Sequence, residues 1–128
     1  QLYGNVVIAS PKLLAEKPEA VRAFLKAFAK GAKEAIANPE AAIASLKAKD
    51  GLVNAPLEVK RLNLTIETAI DSQGARAEGF GRLRPERLQK MAEQVASAYT
   101  TKNPVPASAV WNGSFLPTPA ELDILPKK

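Results

Sequence analysis

Four arginines surround a glycine-containing loop and are the side chains of this chain best suited to bind an anion. They are Arg76, Arg82, Arg84 and Arg87. A guanidinium group offers a planar fork of donors that matches carboxylate, sulfonate and phosphate groups. The cluster therefore predicts an anion-binding or partner-docking patch. The alternative interpretation is a solvated loop that leads into a helix.

A second candidate site lies near the N-terminus, where Tyr3, Gly4 and Asn5 directly precede an apolar run at residues 6–9. The three residues supply an aromatic ring, a position that allows close backbone approach, and an amide with both a donor and an acceptor. Groups at the end of a buried strand lie where α/β proteins open their ligand crevices. The stretch predicts a ligand-binding or hinge position; the alternative is a tyrosine packed at the edge of the core beside a turn.

The composition excludes several kinds of chemistry. The chain of 128 residues has neither cysteine nor histidine, which excludes disulfides, Cys/His zinc sites and Ser-His-Asp triads. No acid–base pair stands out among the other residues, so we expect no catalytic residue, no metal site and no cofactor. The net charge of +5 indicates either attraction to anions or simply a basic, soluble surface. Aromatic residues are too few, at 5%, to favour nucleic-acid binding.

The elements that must position these residues are mostly helices. Residues 6–9 form an unbroken apolar run, which predicts a strand covered on both faces, as in a parallel α/β sheet. Such a strand needs neighbours to satisfy its backbone N–H and C=O groups. Apolar periodicity predicts helices over residues 17–38, 55–72 and 85–99. Capping residues followed by proline predict helices over residues 11–17 and 39–49, and short extended pieces are expected at 80–83 and 109–111. Ser10, Asn38 and Thr118 are the expected N-caps, the last in a capping box with Glu121. We expect a mainly α fold with one or two short strands and a single structural unit over residues 1–128.

The order of these segments resembles a known family. The stretch LYGNVVIASPKLLAEKPEAVRAFLKAFAKGAKEAIANPEAAI is similar to the C-terminal portion of substrate-binding proteins of bacterial ABC importers. The group is the one that binds thiamine-pyrimidine precursors, nitrate, sulfonates and taurine. GFGRLRPERLQKMAEQVASAY and VPASAVWNGSFLP resemble the closing helix of these proteins and their ending. One departure is that Arg82 and Arg84 stand where relatives often carry acidic residues, so the start of this helix lacks a good cap.

The resemblance implies the C-terminal segment of a two-lobed α/β protein of the type II periplasmic-binding fold. A small-molecule solute would be captured between the lobes, outside the cytoplasmic membrane, and delivered to a membrane permease. A lipoprotein anchor is compatible with this role. The missing sheet neighbours of residues 6–9 would then come from earlier in the sequence. Tyr3, Gly4 and Asn5 carry over as hinge or cleft-lining positions.

Two other functions remain open from the sequence. Relatives of this family include pyrimidine-precursor synthases that consume one of their own active-site residues. The chain could instead be a self-standing helical interaction module whose basic face docks on a partner or an anionic membrane. If the segment folds alone, its exposed apolar strand is expected to pair with a second copy.

Overall fold

The computed structural model describes residues 3–99, 103 and 105–127, and within them the chain is mainly helical. The α-helices are α1 Pro11–Glu16, α2 Pro18–Ala37, α3 Pro39–Lys49, α4 Ala55–Thr65, α5 Gln73–Glu78, α6 Pro85–Tyr99, α7 Ala107–Val110 and α8 Pro119–Leu122. A π-helical segment, Ile66–Ile70, continues α4, and a 3₁₀ turn, Gly113–Phe115, precedes α8. None of the described helices is long and apolar enough to cross a membrane.

Side-chain caps fix where the helices begin. The Ser10 hydroxyl accepts a hydrogen bond from the Leu13 backbone N–H, and Asn38 Oδ1 accepts one from the Ala41 N–H at 3.0 Å. Thr118 begins α8 with the reciprocal bonds of a capping box. A proline occupies the first turn of each of these helices, where its missing N–H costs no hydrogen bond. The three predicted N-caps are therefore confirmed.

The core of the described residues is small and lies where the C-terminal tail, residues 118–127, contacts α2. Its buried apolar side chains are Val21, Ala29, Ile43, Leu88, Leu122, Ile124 and Leu125. α2 contacts α1, α3, the 3₁₀ turn and α8, so it is the element shared by both ends of the chain. Burial of these apolar side chains is the main force that holds the tail against α2.

Polar contacts hold the tail along the same helix. Lys26 Nζ lies 2.6 Å from a Glu121 carboxylate oxygen, and Lys33 Nζ donates to the Asp123 carbonyl at 3.1 Å. The Phe80 N–H donates to the Leu122 carbonyl at 2.9 Å. The hydrogen bonds that Lys26 and Thr118 give to Glu121 lower the pKa of that carboxyl to about 2. The tail is thus clamped on both sides of Leu122.

A glycine allows the loop before α6 to lie close to the tail at Leu122. Gly79 has φ +100°, a conformation that residues with a side chain rarely adopt. A Cβ at this position would lie only 3.0 Å from the Leu122 Cβ. The loop before α6 can therefore touch the tail only because residue 79 has no side chain.

The predicted strands are not formed in the described residues. Residues 3–10 precede α1 without regular secondary structure, and Val6, Val7 and Ile8 are 58%, 49% and 87% exposed. The physical reason is that no described segment offers a strand with which residues 6–9 could exchange backbone hydrogen bonds. Whether the chain belongs to an α/β fold stays a prediction.

Three other expectations need correction. Residues 80–83 form a turn rather than an extended piece, and residues 109 and 110 belong to α7, with Trp111 following it. The helix predicted over residues 55–72 changes to π-helical geometry at Ile66 and ends at Ile70. The following segment, predicted as a loop, begins with α5 because the Ser72 hydroxyl accepts from the Ala75 N–H at 3.2 Å.

Candidate functional site

Tyr3 docks on the start of α6 and joins the two groups of residues that the sequence singled out. Its hydroxyl oxygen accepts a hydrogen bond from the Arg84 backbone N–H at 2.9 Å. The Arg87 guanidinium carbon lies 4.0 Å from the centre of the Tyr3 ring. The Tyr3 backbone N–H points at the Met91 sulfur, 3.4 Å away. The N-terminal segment is therefore held by a hydrogen bond, a cation–π contact and a sulfur contact to one helix.

The hydroxyl of Tyr3 supplies what the local sequence of α6 lacks. In a capping box, an acidic or amide side chain three residues into the helix accepts from the N–H of the capping residue. The residue at that place is Arg87, which can only donate. Tyr3 accepts the Arg84 N–H instead, from a position 81 residues earlier in the chain. The poor cap expected from the sequence is thus completed by tertiary structure.

Two of the four predicted anion-binding arginines are neutralised by acids of the same chain. Arg76 makes a bidentate pair with Asp71, with one bond of 2.7 Å, and also donates to the Pro126 carbonyl at 3.0 Å. The Asp71 carboxylate raises the pKa of the Arg76 guanidinium. Arg84 Nε pairs with a Glu78 carboxylate oxygen. These two side chains hold the fold together and do not present free charge.

Arg82 differs from the other three arginines. Its side chain is exposed, and no ion pair to it is found within the described part of the chain. It lines a cleft of about 430 Å³ together with Glu78, Leu83, Trp111 and Gly113. The structure therefore divides the predicted patch. The Arg87 guanidinium lies over the Tyr3 ring, whereas Arg82 lines the cleft. Arg76 and Arg84 are held by the acidic partners described above.

Trp111 was not singled out from the sequence, yet it lines two clefts. The second cleft, of about 560 Å³, lies between Trp111, Pro106 and the first turns of α6. The only sequence signal was that Trp111 is the chain's single tryptophan, followed by the Asn112-Gly113 turn. Gly4 and Asn5, in contrast, are exposed. The described residues contain no group of acidic side chains placed to hold a metal ion.

The part of the chain that carries Tyr3 also matches a known family. Residues 1–42 match the family model described as NMT1/THI5 like. The N-terminal third of the chain is similar to that family. No curated protein and no solved structure gives a significant match to the chain.

The match covers the opening segment, α1, α2 and the start of α3. It includes Tyr3, Gly4 and Asn5, whereas the four arginines and Trp111 lie outside it. A role in solute binding and a role related to THI5 are both compatible with this similarity. The contacts of Tyr3 connect the matched segment to α6, which the family model does not cover.

Proposed function

We propose that this chain is the C-terminal segment of the solute-binding component of a bacterial ABC importer. In this role the intact protein captures a small organic molecule or anion between two lobes, outside the cytoplasmic membrane, and delivers it to the permease. The observation that carries the proposal is the segment of residues 6–9. It is apolar and has no regular secondary structure, Val6, Val7 and Ile8 in it are exposed, and it lies within the part of the chain that is similar to the NMT1/THI5-like family.

The exposure of this segment favours a missing sheet. Val6, Val7 and Ile8 are consecutive, so in a strand they point alternately to opposite faces, and all of them are apolar. A surface strand would show alternation of apolar and polar residues; a strand buried on both faces does not. Strands on either side and helices above and below would cover this segment. An α/β lobe supplied by preceding sequence has that geometry.

The docking of Tyr3 suits a hinge. Tyr3 lies three residues before the apolar segment begins at Val6, and its ring and hydroxyl fix it to α6. A chain that crosses between lobes at this point would be anchored on α6. During lobe closure the chain would then rotate about residues 4 and 5. Both are exposed, and a Cβ added at Gly4 would have no atom within 4 Å. The ligand supplies the driving force by binding the closed state more tightly.

A binding role is favoured over a catalytic one. The sequence has no histidine or cysteine, and the Glu78 carboxylate is paired with Arg84. A pyrimidine-precursor synthase, which consumes one of its own active-site residues, is the second candidate, and the similarity over residues 1–42 is compatible with it as well.

The test uses the protein translated from the full coding sequence. Its thermal unfolding is followed with taurine, nitrate and an aminopyrimidine as separate probes. A ligand at about 100 times its Kd stabilises a protein by about 2.7 kcal/mol, which raises the Tm by several degrees. We expect one probe to raise the Tm and to be recovered unchanged. Chemical conversion of the probe would favour the synthase, and no shift with any of the three would count against the proposal.

A further inference from the structure

The cleft beside Trp111 has an excess of positive charge. Glu78 is the acidic side chain among its lining residues, and the Glu78 carboxylate is already paired with Arg84. Arg82 also lines the cleft, and its guanidinium makes no ion pair within the described residues. The pair of Glu78 and Arg84 contributes no net charge, so Arg82 sets the sign of the cleft. Its exposed fork of donors matches the geometry of a carboxylate.

The lining of the cleft also includes aromatic and apolar side chains. Trp111 is half-buried, with Leu83 and Leu116 beside it. No hydrogen bond from the indole N–H is found within the described residues, so this donor is available as well. Gly113 keeps the edge of the ring open, since a Cβ there would lie 3.2 Å from Trp111 Nε1. Trp111 and its apolar neighbours can therefore contact a flat apolar group of a ligand while the Arg82 guanidinium binds a negatively charged group.

We propose that this cleft binds a small aromatic carboxylate. The carboxylate pairs with the Arg82 guanidinium, and the ring of the ligand lies along Trp111 and Leu116. A volume of about 430 Å³ is at the small end of the range of ligand sites, which suits a single-ring molecule. The residues of the cleft lie outside the segment that matches the family model. The inference therefore goes beyond the importer role, and either can fail without the other.

The test uses the single tryptophan of the chain as its reporter. An ¹⁵N-labelled sample gives one indole N–H signal, which must come from Trp111. Benzoate is titrated as the probe, with benzamide as the uncharged ring and acetate as the carboxylate without a ring. We expect the indole signal to move saturably with benzoate and more weakly with the other two. The Arg82→Gln variant should bind benzoate with a Kd raised at least about fivefold, because the charge-assisted hydrogen bonds are lost.

Two further variants keep the test decisive. Arg61→Gln removes the same charge from α4, where Arg61 pairs with Glu58, and it should leave benzoate binding unchanged. Arg82→Lys keeps the charge but loses the fork, so an intermediate affinity is expected. The proposal is overturned by a missing or unsaturable shift with benzoate, by equal binding of benzamide or acetate, or by unchanged affinity in either Arg82 variant. A loss in Arg61→Gln equal to that in Arg82→Gln also overturns it, because net charge alone would then explain the effect.

Discussion

Truncation of Leu122 should destabilise the chain more than its size suggests. Leu122 is only 2% exposed, it lies beside the loop at Gly79, and it belongs to α8, which contacts α2. Replacing a buried leucine by alanine costs about 2–5 kcal/mol, and the cost is highest where the surroundings cannot collapse into the cavity. Hydrogen bonds and ion pairs hold the backbone on both sides of this residue. We therefore expect Leu122→Ala to lower the free energy of unfolding by about 3–5 kcal/mol.

The assay is equilibrium unfolding in urea followed by circular dichroism at the helix band. Leu52→Ala is the matched control, because Leu52 is 95% exposed and its truncation should change stability by less than about 0.5 kcal/mol. The total stability of a domain is about 5–15 kcal/mol, so Leu122→Ala should remove a large part of it. Equal urea midpoints for the two variants, with unchanged m-values, would refute the placement of the tail in the core.

Three other perturbations test separate contacts of the same structure. Gly79→Ala should lower the free energy of unfolding in urea by about 1–3 kcal/mol, because residue 79 has φ +100° and the added Cβ would lie against the tail. Gly31→Ala within α2 is the control and should raise the free energy of unfolding by about 0.4–1 kcal/mol. Tyr3→Phe should lower stability by about 0.5–2 kcal/mol, because it removes the hydroxyl that accepts from the Arg84 N–H at the start of α6. Tyr99→Phe should have no effect, because Tyr99 is 77% exposed. Glu121 has a folded-state pKa of about 2 against 4.5 in the unfolded chain, so its stabilising contribution is present above pH 4.5 and is lost as the pH falls toward 2. Urea midpoints at pH 6 and pH 3 should therefore differ less in Glu121→Gln than in the wild type.

Each of these predictions has its own contradicting result. A neutral Gly79→Ala variant would show that the loop does not approach the tail. Equal effects of the two tyrosine variants would remove the docking of residue 3 on α6. An unchanged pH dependence in Glu121→Gln would show that its pairing with Lys26 does not persist in solution.

Local chemistry made the helices predictable. Ser10, Asn38 and Thr118 were identified as caps because each depends only on residues three positions away. The apolar periodicity located α2 and α6 because it also depends only on residues a few positions apart. The change to π-helical geometry at Ile66 and the helix that begins after Ser72 were missed, since neither interrupts the apolar pattern clearly.

Long-range contacts decide the candidate site and were beyond the reach of periodicity. The cluster of arginines was visible in the sequence, but its division among Asp71, Glu78 and the open cleft depends on folding. Tyr3 was singled out for its position before an apolar run, whereas its partner on α6 is 81 residues away. For residues 6–9 the local pattern predicted a strand that the described residues do not form, because such a pattern forms a strand only where a second strand is present.

The most direct test of the proposed origin of this chain is hydrogen exchange at the backbone amides of residues 6–9. It is measured in the protein translated from the full coding sequence and in the 128-residue chain. The account predicts slow exchange in the former, where sheet neighbours would accept these hydrogen bonds, and fast exchange in the latter. Fast exchange of these amides in both proteins would contradict it.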